Sequence, residues 1–171
     1  PALTETQAKD MFMDLYNDGY ILFMQLQHSF LIDYSQSVGI DGIKYYLITG
    51  FKTKTEFVDA FSESFTEAFV QRNILSMFGG ASSVQITEQK DGLYISEGFD
   101  KGGTYELYTK DFQASGISPS EWHFILNGYN SQEDTAYEDL TWNFTVIYEN
   151  EAWRIDSMSK TFSDRPNTNT Y

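Results

Sequence analysis

TWNFTVIYENEAWRI, residues 141–155, decides how this chain folds. Trp142, Phe144, Val146 and Tyr148 alternate with Thr141, Asn143, Thr145 and Ile147. Period two places one set on each face of a strand. Glu149-Asn150-Glu151 supplies a turn, and Trp153 and Ile155 open a second strand. The stretch predicts an antiparallel hairpin with one aromatic face.

Upstream, the same period recurs. Val84, Ile86 and Glu88 precede Lys90-Asp91-Gly92, and Leu93 to Ser96 follows, the pattern of a hairpin with a tight Asp-Gly turn. Gly103–Tyr108 and Trp122–Leu126 read as further strands. Before residue 80 the spacing is helical. Thr4 and Gln7 have the form of a capping box, and Ala8, Met11, Phe12 and Leu15 recur on one helical face. Asn17-Asp18-Gly19 reads as a break, and Tyr20–Leu26 as a second buried helical piece. Phe30 to Thr49 reads as extended, with Asp41-Gly42 as the turn and Ile43–Ile48 as a strand. Thr53 and Glu56 form another capping box, after which Phe57, Phe61 and Phe65 share one face of one helix. Thr66 caps a further helix carrying Phe69, Val70, Ile74, Met77 and Phe78, stopped at Gly79-Gly80. The expected fold is α+β, with N-terminal helices, one early hairpin and a C-terminal antiparallel sheet. A single domain is expected over residues 1–171, with a helical subdomain at 1–80, a β-rich subdomain at 81–162 and a polar, frayed tail at 163–171.

The chain has 171 residues, 41% hydrophobic and 17% aromatic, which excludes compositional disorder. Eleven basic against 25 acidic residues give a net charge of −14. Such a chain repels phosphate backbones, so no nucleic-acid partner is expected. The longest unbroken apolar run, Tyr20–Met24, is far short of the roughly 18 residues of a spanning helix. Cysteine is absent, which removes disulfides, zinc thiolates and cysteine nucleophiles. The first residue is Pro1 rather than Met, which fits removal of a leader from an exported or surface protein, lipid-anchored or free.

Catalytic patterns are missing. The sequence contains no HExxH, GxSxG or GxxxxGK[ST] string. His28 and His123 are its two histidines; Glu121 is near enough to His123 for an acid–base pair, but a strand-end histidine without a catalytic role is the expectation. A calcium loop starting at Asp14 would need a ligand at Tyr16 and a Glu at Gln25; one starting at Asn130 would need a glycine at Thr135. Both fail, and no metal or cofactor is expected. The Asn143-Phe144-Thr145 glycosylation triplet lies inside a predicted strand.

Charge distribution is the remaining signal. From Glu88 to Glu151 there are 13 acids and 3 bases, a net of −10; the rest of the chain has 12 and 8, a net of −4. The glycine-rich loop with Asp100, Gly102 and Gly103, and the pairs Glu133-Asp134 and Glu138-Asp139, are candidates for a face that docks a basic partner.

Leu3-Thr4 with Ala8, the strand Tyr45-Tyr46-Leu47, the run Phe51-Lys52-Thr53-Lys54 leading to Phe65-Thr66, and the closing Trp153-Arg154-Ile155-Asp156 together resemble the IseA-type DL-endopeptidase inhibitors of Gram-positive bacteria. The resemblance implies an exported, non-enzymatic α+β protein that occupies the cleft of an NlpC/P60-type cell-wall cysteine endopeptidase, and the acidic face makes a basic cleft the expected partner. The Trp-Arg-Ile-Asp ending is also similar to NTF2-like exported domains. That alternative implies a small apolar ligand held between sheet and helices, with Trp142, Phe144 and Trp153 lining the pocket.

Overall fold

The computed structural model describes residues 2–80, 82–98, 106–132, 136–162 and 168–171, and for 106–110, 129–132, 136–138 and 168–169 the backbone alone. The architecture is α+β with two antiparallel sheets.

Helix α1 spans Glu5–Leu15. Its capping box forms as the sequence predicts: Gln7 N–H donates to Thr4 Oγ1 at 3.3 Å, and Thr4 N–H donates to Gln7 Oε1 at 3.0 Å. Asn17-Asp18-Gly19 does not break the chain. Tyr16–Tyr20 is a π-helical turn that carries α1 straight into α2, Ile21–Gln27. The reason lies at Gly19, where a Cβ would stand 2.4 Å from Ser64 Cβ. Glycine lets the helix lie against the next helical layer, and the wider turn keeps Tyr20 facing the core.

Strands β1 (Ile32–Ile40) and β2 (Ile43–Ile48) form the early hairpin. Asp41 and Gly42 both have positive φ, +50° and +80°, as a type I′ turn requires. Helix α3, Lys54–Ser62, starts at the second capping box, where Glu56 N–H donates to Thr53 Oγ1 at 3.2 Å. It ends earlier than the phenylalanine spacing predicts. Phe65 lies beyond it, because Ile155 N–H bonds Ser64 O at 2.8 Å and Thr66 N–H bonds Ile155 O at 3.0 Å. Those backbone groups serve a bridge to a strand and cannot also continue a helix. Phe57, Phe61 and Phe65 are nonetheless all fully buried. Thr66 then caps α4, Glu67–Asn73, which passes into a short 3₁₀ turn, Leu75–Met77.

β3 (Ile86–Gln89) and β4 (Gly92–Ser96) form the Asp-Gly hairpin. They join the early hairpin in one sheet of order β1-β2-β4-β3. A division at residue 80 therefore does not follow the pairing, since β2 before it bonds β4 after it. The second sheet is made of β5 (Glu106–Ser118), β6 (Glu121–Gln132), β7 (Ala136–Glu149), β8 (Ala152–Phe162) and β9 (Thr168–Thr170), in that order. Of the strand expected at 103–108, residues 106–108 open the longer β5 and 103–105 lie outside the described residues; the strand expected at 122–126 belongs to the longer β6. The described end of the tail, 168–171, also departs from expectation. β9 pairs with Ser159–Thr161, Tyr171 exchanges backbone hydrogen bonds with Met158, and its ring lies 5.2 Å from Phe23.

The α1–α2 segment packs on the inner face of the second sheet. Phe12 stacks on Phe124 at 4.3 Å and on Phe112 at 5.3 Å, and meets Phe144 edge-on at 4.9 Å. Tyr20 meets Trp142 at 5.4 Å. A bulge between Thr145 and Val146 leaves Asp156 of β8 without a partner across the strand. This residue ties the α4 layer down instead: Asp156 Oδ1 accepts from Thr66 Oγ1 at 2.9 Å, and its carbonyl accepts from Arg72 Nη2 at 2.9 Å.

Candidate surface site on the second sheet

Alternation along the long strands sorts the second sheet into two faces. The inner one carries Trp122, Phe124, Leu126, Trp142, Phe144 and Val146, all buried. The outer one carries hydroxyl, amide and carboxylate groups. Cross-strand register aligns Asp111 with Asn127, Asn127 with Thr141, and Thr141 with Thr161. The first three bond side chain to side chain along this row. Asn127 Nδ2 donates to Asp111 Oδ1 at 2.6 Å, and Thr141 Oγ1 donates to Asn127 Oδ1 at 2.8 Å. The row fixes the Asn127 amide by both ends, which removes the ambiguity of its orientation.

Beside this row lies a groove of about 510 Å³, lined by Asn127, Gly128, Asp139, Leu140, Thr141, Asn143 and Thr161. That lining contains no cation. Asp139 is exposed at its rim, opposite Tyr129 in the register. On the same face, His123 Nε2 and Glu121 Oε1 are 2.8 Å apart. Ser115 and Thr145 flank His123 across the strands, but neither is hydrogen-bonded to it, so no nucleophile is coupled to this pair among the described residues. His28 caps the C-terminus of α2, away from the pair.

The candidate residues fall into three groups. Asp100, Gly102, Gly103, Glu133 and Asp134 lie outside the described residues. Glu138 stands on β7 opposite Asn130, and Asp139 follows it at the groove. Among the described residues, Trp142, Phe144 and Trp153 do not line a common pocket. Trp142 and Phe144 are 2% and 1% exposed, and Tyr20, Phe12 and Tyr171 fill the space before them. Lys160 Nζ covers the Trp142 ring at 5.4 Å. Trp153 pairs with Tyr148 in register, six residues along β7 from Trp142, which is about 20 Å along a strand. The apolar pocket of the alternative reading is thus filled by the protein's own aromatic wedge.

Burial shapes the titration of that wedge. The Tyr20 hydroxyl is pushed well above the ordinary tyrosine value, first by desolvation and then by Tyr16 and Tyr171 nearby. Tyr16 and Tyr171 are raised by burial as well. On the first sheet, Asp33 is lowered by the Ser35 hydroxyl, the Ser35 N–H and the Gln36 amide.

Sequence reasoning missed the Asp111–Asn127–Thr141 row. Its signal was present in the polar residues spaced by two at 111, 113 and 115, but no large apolar alternation accompanies them in that stretch. Among the described residues, no group of three or more His, Asp or Glu is arranged to hold a metal ion, and no helix is long and apolar enough to cross a membrane. Comparison with protein-family models, with curated proteins and with solved structures finds no match to this chain.

Proposed function

We propose that the protein is an exported, non-enzymatic inhibitor that docks through the outer face of its second sheet and occludes the basic cleft of a cell-wall cysteine endopeptidase. The observation that carries this reading is the groove beside Asp111, Asn127 and Thr141: it presents the side chains of Asn127, Thr141, Asn143 and Thr161, is edged by Asp139, and has no cation in its lining. All of its lining except Thr161 lies in the stretch 88–151, where acids outnumber bases 13 to 3. A filled inner face leaves recognition to the surface. A standard interface takes about 800 Å² per partner. The protein exposes 9379 Å², so one sheet face is sufficient. The class of partner rests on the family resemblance, and the sign of its charge on the acidic face.

The mechanism is steric, with electrostatic steering of the encounter. Exposed charges act over about 8 Å at physiological salt and about 3 Å at 1 M. Association with a cell-wall endopeptidase is expected to slow as salt rises, mainly through the on-rate. Asp111→Asn with Asp139→Asn is expected to slow association further at low salt while leaving the thermal midpoint close to wild type. The assay is inhibition and association kinetics at low and high salt, for both proteins. Absence of inhibition at every salt concentration overturns the reading, and salt-independent association overturns the electrostatic component.

A further inference from the structure

Apart from that groove, a cleft of about 250 Å³ lies between α2, α4, residues 82–84 and β4. Its floor is apolar, built from Phe23, Met77, Val84 and Ile95. One charged group lines it, Arg72. In a chain with 25 acids and 11 bases, this arginine has no carboxylate partner among the described residues. Its guanidinium is held by a carbonyl instead, Nη2 donating to Asp156 O at 2.9 Å. The Asp156 carboxylate beside it accepts from Thr66. Arg72 is exposed, so Nε and Nη1 face solvent, and the carbonyl bond positions the fork without neutralising it. Two further lining groups, the Gln27 amide and the Ser83 hydroxyl, make no side-chain hydrogen bond within the protein among the described residues. Nearby Asn73 and Ser76 are satisfied internally, by Phe69 O and Arg72 O.

We infer that this cleft binds an N-acylated α-amino acid carboxylate with an apolar side chain, as found at the C-terminus of a peptide. The three portions of such a ligand match three portions of the cleft. The carboxylate pairs with the Arg72 guanidinium, the amide exchanges hydrogen bonds with Gln27 and Ser83, and the side chain rests on Phe23, Met77 and Ile95. The volume suits on the order of a dozen non-hydrogen atoms at protein packing density. The cleft shares no residue with the groove on the outer sheet face, so this site stands whether or not the inhibitory reading does.

The test is an amide chemical-shift titration of the full chain with N-acetyl-leucine and, in parallel, with N-acetyl-leucinamide, which lacks the carboxylate. N-acetyl-leucine is expected to bind with a dissociation constant on the order of 1 mM. Shifts should be confined to Phe23–Gln27, Arg72–Met77, Ser82–Val84, Ile95 and Tyr171. The amide is expected to bind at least about tenfold more weakly, since a charge-assisted fork becomes a neutral contact. Arg72→Gln should lose the same factor. Because that variant also loses the bond to Asp156, Gln27→Glu serves as a second probe; it leaves the fold's hydrogen bonds in place and sets a like charge against the ligand. Equal binding of acid and amide, unchanged affinity in Gln27→Glu, shifts centred elsewhere, or no shift up to about 10 mM each overturns the proposal.

Discussion

On β7, Trp142, Phe144 and Val146 are buried, while their immediate neighbours Thr141, Asn143 and Thr145 are half-buried or exposed. One strand thus serves two surfaces of opposite chemistry. The inner one is closed by Phe12 and Tyr20, whose rings lie 4.3 to 5.7 Å from those of the sheet. The outer one is a row of side chains hydrogen-bonded to each other, Asp111 to Asn127 to Thr141, with a groove beside them. Aromatic content alone does not mark a binding pocket. The rings of Trp142 and Phe144 have partners within the chain, so the aromatic face contributes to stability.

The largest effect that separates the faces is expected on the inner one. Phe144→Ala removes a side chain that is 1% exposed and touches Phe12, Tyr20 and Trp142. A loss of about 3–5 kcal/mol in denaturant unfolding is expected. A loss below about 1 kcal/mol would mean that the wedge does not fill this face, and would reopen the apolar-pocket reading.

The wedge is held in place at Gly19, which gives the next largest effect. In an ordinary helix Gly→Ala stabilises by roughly 0.5–1 kcal/mol. Here the new Cβ would meet Ser64 Cβ at 2.4 Å. The sign is expected to reverse, with a loss of about 1–3 kcal/mol from overpacking. Pairing Gly19→Ala with Ser64→Gly should recover some of that loss. A stabilised single variant would show that the helical segment does not press on the α3–α4 junction.

Tyr20 gives the inner face a pH signature. Its folded-state pKa is raised, so the folded protein keeps a proton that the unfolded chain releases above about pH 10. Stability from this group is fully present below that pH and falls as pH rises toward the folded value. The slope is at most about 1.4 kcal/mol per pH unit for one group. Denaturant midpoints at pH 8 and pH 11 are expected to differ, and Tyr20→Phe should narrow the gap. Tyr16 and Tyr171 act in the same direction, so a residual slope remains in the variant. An unchanged slope in Tyr20→Phe would place the hydroxyl in water.

Local rules made much of this fold legible. Both capping boxes, the Asp41-Gly42 turn and the 141–155 hairpin depend on residues close in sequence, and each forms as read. The failures are long-range. Phe65 leaves its helix because Ile155, 90 positions later, takes the neighbouring backbone groups. The tail is docked from Thr168 because β8 offers an open edge and Phe23 an apolar neighbour for Tyr171. At the candidate site, Asp139 was legible as a member of an acidic stretch. Asp111, Asn127 and Thr141 were not, since only the register of three strands makes them neighbours. Arg72 escaped notice for a related reason: an arginine's partners are invisible until the elements around it are packed.

The smallest expected effect belongs to the outer face and is the sharpest test of the comparison. Asn143 adjoins Phe144 in sequence, is exposed, and lines the groove. It makes no side-chain hydrogen bond to another described residue, in contrast to Asn127. Asn143→Ala is therefore expected to change unfolding free energy by no more than about 0.5 kcal/mol, the range of ordinary surface substitutions. Removing an amide from a strand also relieves a slightly unfavourable β-propensity, so the sign is expected to be neutral or weakly stabilising. Set against Phe144→Ala, the two variants lie one residue apart and differ several-fold in stability cost. Binding should invert the order. If the groove is the docking surface, Asn143→Ala weakens the complex while the folded protein stays intact. A loss of about 2 kcal/mol or more in unfolding would show instead that the amide belongs to the fold, and the division of labour between the faces would fail at the residue where it is most exposed to test.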